Sequence, residues 1–173
     1  MTQIPGSATS SSATPASAQP ERRACVFALA GSRFAVDVRS AREVVLFDEM
    51  TAVPRAPRHL VGVANLRGTV MPIVDVRALL GLPDAGPARS ARTLVVRDGA
   101  LQAAVVVDTV LGLEPFEEML PADSPGAVGL SGPRPLIAGW IRWANETLAV
   151  LDVPKILASL RASTPTVAQE VSA

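Results

Sequence analysis

The residues of this chain best placed to do chemistry are four aspartates, each ending a branched apolar run and opening a new segment. They lie in FAVDVRSAREV (Asp37), MPIVDVRALLGL (Asp75), AAVVVDTVLGL (Asp108) and LAVLDVPKILASL (Asp152). A carboxylate at the margin of an apolar run can serve as a general acid, and two placed together can share a proton. The same position has a plainer use. The first N–H groups of a helix lack partners, and an aspartate just before them accepts their hydrogen bonds as an N-cap. Four acids in one context favour this architectural use. Pro154 strengthens it after Asp152, because a missing N–H costs nothing in a first helical turn.

The sharpest enzymatic reading is VVVDTVLG, since aspartic proteases carry Asp-Thr-Gly after an apolar strand. Val110 stands where that glycine is required, and a β-branched residue does not supply the open turn that pairs two carboxyl groups. Cys25 is the sole cysteine, which excludes internal disulfides and cysteine-clustered zinc and fits a reducing compartment. It sits in ACVFALA with no His or Lys beside it, as a buried structural thiol would. His59, the sole histidine, lies in PRHLVG and reads as solvent-exposed on a loop or short helix, so a metal or triad site has one candidate base at most. The Gly- and Pro-rich stretches Gly81 to Ala91 and Pro121 to Pro135 read as exposed connections, lacking a phosphate-loop Lys-Ser/Thr and dinucleotide glycine spacing. No catalytic, cofactor-binding or metal-ligating residue is assigned.

The 173 residues suit one ordinary domain, or two small ones sharing a core. Net charge is zero, Tyr is absent and aromatics are 3%, so both the basic field and the stacking platform of a nucleic-acid binder are missing. Arginines outnumber Lys155 fifteen to one among the 16 basic residues, a habit of the whole chain that singles out none of them. Residues 1–21 lack the basic start and apolar core of a signal peptide and read as a disordered tail, as does 163–173. No apolar stretch reaches the roughly 18 to 20 residues of a spanning helix, so a cytoplasmic protein is expected. An aspartate-dependent hydrolase and a small-barrel nucleic-acid-binding module stand as the alternatives.

Short apolar runs cut by Gly and Pro must position these residues. ACVFALA and RFAVDV flank the hairpin connection AGS; further strands are expected at Thr51–Val53, Val63–Leu66, Thr69–Val74, Arg92–Arg97, Leu101–Val107, Leu136–Arg142 and Thr147–Leu151. Helical pieces are expected at Arg39–Leu46, Arg58–Val61, Val76–Leu80, Phe116–Leu120 and Pro154–Ser163. This spacing suggests small antiparallel barrels or a sandwich. The recurrence of strand, Asp and helix hints at two related halves.

In HLVGVANLRGTVMPIVDVR, Asn65, Arg67 and Gly68 interrupt a long apolar run, as a tight turn or bulge demands. An Arg at its tip has Glu43, from the preceding helical piece, as a candidate ion partner. These residues carry a resemblance. VPRAPRHLVGVANLRGTVMPIVDVRALLGL is similar to the signature of the CheW family, scaffold proteins of bacterial chemosensory arrays, built on Asn-Leu-Arg-Gly, an apolar run, Pro and Asp. CVFALAGSRFAVDVRSAREVV, AAVVVDTVLGLEPF and LIAGWIRWANETLAVLDVPKIL extend the likeness across Arg22 to Leu160.

The resemblance implies a mainly β fold, a CheW-like domain over 22–162. Two intertwined five-stranded SH3-like barrels, short connecting helices and a C-terminal helix make it up, and the last segments return to the first barrel. It implies a non-enzymatic adaptor with no cofactor, and no receiver domain is read in the sequence, unlike the family's scaffold-receiver fusions. One barrel would bind the regulatory domain of a CheA-type histidine kinase, and a groove between barrels the helical tip of a chemoreceptor. The partner-binding residues it implies are Ala41, Glu43, Asn65, Leu66, Arg67 and Gly68, with Glu43 paired to Arg67. Ala41 is smaller than the Val often found there. No nucleic acid and no membrane insertion are implied.

Overall fold

The structure, a computed structural model, describes residues 22–84, 91–124 and 136–162. The strands are β1 (Arg23–Leu29), β2 (Ser32–Asp37), β3 (Ala41–Phe47), β4 (Leu60–Leu66), β5 (Thr69–Val74), β6 (Ala91–Asp98), β7 (Leu101–Val106), β8 (Thr109–Pro115), β9 (Leu120–Pro121), β10 (Ile137–Trp143) and β11 (Glu146–Leu151). One α-helix, α1 (Val153–Ala162), follows them, and a single helical turn at Ala78–Leu80 follows β5. One sheet runs β8-β1-β2-β11-β10-β9 and the other β3-β6-β7-β5-β4. Neighbours are antiparallel except β11 with β2 and β5 with β7, which are parallel.

The chain folds the same unit twice. A hairpin stays in one sheet, the next strand crosses into the other, a second hairpin follows it there, and a helical segment closes the unit. Val38 N–H donates to Arg23 O at 2.9 Å in the first copy, and Val107 N–H to Arg92 O at 2.9 Å in the second. Asp75 N–H donates to His59 O at 2.8 Å, and Asp152 N–H to Leu136 O at 2.7 Å. Because β1–β2 join β8 to β11, while β6–β7 join β3 to β5, each barrel contains strands of both copies.

A short closing pair curls each sheet into its barrel. Thr51 exchanges two 2.8 Å backbone bonds with Val63 of β4, and β9 pairs with β10 in the equivalent place. Glycine is required at both closures. A Cβ on Gly62 would lie 2.6 Å from Thr51 O, and one on Gly139 would collide with Leu120 O. The expected five strands per barrel are present, and the two-residue β9 adds a sixth to one of them.

Period-2 alternation divides the apolar residues among three clusters. Ala24, Val26, Ala35, Ile141, Leu148 and Val150 pack with Phe116, all from the six-stranded sheet and its rim. Phe47, Ala64, Met71, Ile73, Val95 and Ala104 fill the five-stranded barrel. The largest cluster takes residues from both sheets and α1, including Phe27, Phe34, Val105, Trp140 and Ile156. β1 feeds two of these clusters at once, which is why its sequence is almost continuously apolar. Each fully buried side chain such as Phe27 or Ile156 contributes about 1.5–3 kcal/mol of burial free energy.

Several expected elements differ. Arg39–Leu46, expected helical, is the strand β3, because Val44, Val45, Leu46 and Phe47 find a partner strand in β6, far along the chain. Phe116–Leu120 forms no helix and instead carries the chain around to β9. Arg58 and His59 make a turn that leads into β4, which begins at Leu60 rather than Val63. Val76–Leu80 contracts to the turn at Ala78–Leu80, and Thr51–Val53 to a bridge at Thr51. Thr109–Pro115, absent from the strands expected above on alternation alone, is β8. The expected tails 1–21 and 163–173 and much of the two Gly-Pro-rich connections lie outside the described residues.

Candidate partner-binding site

Hairpin geometry builds the site. The β4–β5 turn has two central residues, and the right-handed strand twist favours positive φ at both. Arg67 has φ 50° and Gly68 φ 86°. Asn65 Oδ1 accepts the Gly68 N–H at 2.7 Å, so the Asn and Gly of the motif both serve the turn. Arg67 does not, since a residue with a Cβ costs about 1–2 kcal/mol in the left-handed region.

What Arg67 gains lies on β3. The β3–β6 register slips between Ala41 and Val44, so Arg42 and Glu43 together face one residue, as in a β-bulge. A bulge bends its strand and re-aims a side chain. Here the Glu43 carboxylate meets the Arg67 guanidinium fork to fork, Nη1 to Oε1 at 3.0 Å and Nη2 to Oε2 at 2.8 Å. Arg67 is 75% and Glu43 34% exposed, so the pair lies open to solvent and contributes only about 0–1 kcal/mol to stability. Its effect is to hold the fork in one orientation.

The remaining implied residues surround the pair unevenly. Ala41 is half-buried against the central cluster, and Leu66 packs against the core of the five-stranded barrel. Sequence reasoning missed their exposed apolar neighbours: Val44 beside Glu43, Leu46 further along β3, and Val70, 68% exposed, opposite Asn65 in the hairpin register. Alternation along β3, had it been read as a strand, would have revealed Val44 and Leu46, whereas Val70 lies on β5, where a strand was expected. A shallow cleft beside them is lined by Leu46, Phe47, Asp48, Glu49, Thr51 and Asn65.

The four aspartates fasten backbone, each differently. Asp152 is a helix cap, its Oδ1 accepting the Lys155 N–H at 3.1 Å. Asp75 accepts the Arg77 N–H at 2.9 Å before a single turn. Asp37 accepts the Arg39 N–H at 2.9 Å and two side-chain bonds from Arg39, and these hold its carboxyl below the usual carboxylate range. Asp108 accepts the Ala30 N–H at 2.7 Å across to the β1–β2 turn. Asp75 and Asp108 do come together, but Arg77 stands between them, bound to Asp75 Oδ2 at 2.7 Å and Asp108 Oδ1 at 2.5 Å. The arrangement is a cation held by two anions rather than an acid pair sharing a proton.

Burial pushes the Cys25 thiol up, away from the reactive thiolate. His59, expected to be exposed, is half-buried, and its Nε2 has no partner among the described residues. No group of three or more His, Cys, Asp or Glu that could hold a metal occurs among them. None of their helices is long and apolar enough to cross a membrane.

Comparison with known proteins bears on the family and the fold. The family model described as CheW-like domain matches residues 23–161. A probable chemotaxis protein CheW of Rhizobium etli is 34% identical over 92 residues, covering 53% of this chain and 59% of that protein, under two thirds of its length. Protein FrzA of Myxococcus xanthus is 34% identical over 108 residues, covering 61% of this chain and 68% of that one. The crystal structure of the scaffolding protein TtCheW from Thermoanaerobacter tengcongensis superposes with a TM-score of 0.65 at 23% identity, covering 76% of this chain and 88% of that one, and so shares its fold. The chain belongs to the CheW-like domain family. Its architecture is mainly β and SH3-like, as in that solved structure.

Proposed function

We propose that this chain couples methyl-accepting chemoreceptors to a CheA-type histidine kinase on the cytoplasmic side of the membrane, so that ligand state at the receptor alters autophosphorylation at a distance. In this reading the helical tip of the receptor lies against Ala41, Glu43, Asn65, Leu66, Arg67 and Gly68. The observation that carries it is the solvent-open Arg67–Glu43 pair, with exposed apolar Val44 next to Glu43 on β3 and Val70 shortly after Arg67 on β5, since a helix seated in a groove needs apolar contact and a few fixed polar anchors. The kinase regulatory domain takes a barrel edge. β8, an edge strand of the six-stranded sheet and so apart from the β3 groove residues, exposes Leu111 and Leu113.

Titration of the purified chain with the receptor tip and, separately, with the kinase regulatory domain tests this reading. Arg67→Glu should weaken receptor binding at least tenfold, about 1.4 kcal/mol. Its thermal midpoint should move by no more than roughly 2–4 °C, as loss of an exposed pair allows. Undiminished affinity of Arg67→Glu for both partners would remove the groove assignment.

A further inference from the structure

We infer that Arg77 is a positioning residue that pins the two barrels at one angle by gripping Asp75 and Asp108 together. Its side chain is 6% exposed, whereas every other arginine in an ion pair among the described residues is at least 45% exposed. Asp75 directly follows β5 of the five-stranded sheet. Asp108 sits where the chain crosses from β7 in that sheet to β8 in the other. The carboxylate of Asp108 is shared: Oδ1 takes Arg77 Nη2, and Oδ2 takes the Ala30 N–H at the β1–β2 turn of the six-stranded barrel. Arg92 Nη1 donates to the Asp108 carbonyl at 3.2 Å and steadies the crossing. One guanidinium therefore links the end of a strand in one barrel to a hairpin tip in the other.

Apolar packing between the barrels supplies the attraction but is non-directional, whereas charge-assisted bonds from one planar guanidinium to two carboxylates fix geometry. The Arg77 Nε is buried without a partner among the described residues. A buried donor left unpaired opposes folding, so the fork is kept in spite of a cost rather than for stability alone. The functional consequence rests on the coupling role proposed above: a scaffold between two partners transmits a change at one to the other only if its own halves keep a fixed angle.

Two readouts test the pin in the full chain. The first is hydrogen exchange at the Ala30 amide. The second is the distance distribution between spin labels on Asp98→Cys and Asn145→Cys, at exposed hairpin tips of opposite barrels, with buried Cys25 left in place. Arg77→Met keeps the length of the side chain and removes its donors. With the fork gone the Asp108 carboxylate is no longer held on the Ala30 N–H, so Ala30 exchange should speed roughly 10- to 100-fold, as weakening of a bond to a charged acceptor allows, and the distance distribution should broaden. Arg77→Lys keeps the cation where Met does not fold, yet lacks the fork, so Ala30 exchange must rise in it too. A folded variant in which either readout stays at the wild-type value overturns the inference. Separate titrations with kinase and receptor should be unchanged in these variants, while kinase stimulation in the three-component assembly falls roughly tenfold. If the unsubstituted chain binds neither partner, the coupling reading fails and the two structural readouts still judge the pin.

Discussion

Arg67 and Arg77 show how one residue type acquires two roles from its surroundings. Both hold carboxylates by their forks, but Arg67 is open to water and oriented, whereas Arg77 is enclosed and binds two acids at once. Asp37 offers a third case, with a measurable pH signature. The Arg39 hydrogen bonds depress its carboxyl in the folded state. A depressed acid stabilises fully above its unfolded value, near 3.9, and loses that contribution as pH falls through the lower folded value. Asp37→Asn should therefore lower stability at pH 7 by up to about 1 kcal/mol, and the difference from wild type should begin to narrow below roughly pH 3.9. Urea unfolding of both proteins at pH 7 and pH 3 checks this, and an equal gap at both values contradicts it. The fastening role of these acids was legible in sequence from their shared context. That Asp108 would fasten a distant hairpin was not, because its partner Ala30 is 78 residues away.

At the scale of elements, hairpins were legible and crossing strands were not. AGS, Asn-Leu-Arg-Gly, the DGA of Asp98–Ala100 and the ANE of Ala144–Glu146 each carry their turn chemistry locally, and each lies between two paired strands. REVVLF and PFEEML carry no local mark of their fate: β3 is specified by its non-local partner β6, and the second segment by the need to reach β10. Misreading β3 as helix also hid the bulge that aims Glu43, so the pair was legible and its mechanism was not. The barrel closures are the elements most sensitive to one added carbon. Gly139→Val should cost about 1–3 kcal/mol, because the clash is with Leu120 backbone and the Met119 side chain and β9 must lift away. Trp140 reports the event, since its Nε1 donates to Ala122 O at 3.1 Å just past β9. A red-shifted Trp emission in a folded protein is the expected result, and an unchanged spectrum and midpoint would refute the closure argument.

At the scale of the molecule, two barrels that exchange strands should unfold as one unit. Met71 belongs to the core of the five-stranded barrel, and both tryptophans lie on β10 in the other. Met71→Ala should lower stability by about 2–5 kcal/mol, and it should shift tryptophan fluorescence and far-UV circular dichroism to the same new midpoint. Separated midpoints would show that the barrels melt independently. The β class was readable along the chain, but the strand, Asp and helix grammar holds only at Asp75 and Asp152, since Asp37 and Asp108 lead into the strands β3 and β8, and the interlacing of the copies appears only in the pairing of strands far apart in sequence. That interlacing has a consequence for how such a chain can be divided. Neither a polypeptide ending near residue 84 nor one starting near residue 91 holds a complete barrel, yet each holds what the other lacks. Co-expressed as separate pieces, they should reassemble by fragment complementation, whereas either piece alone should aggregate through its unpaired strands.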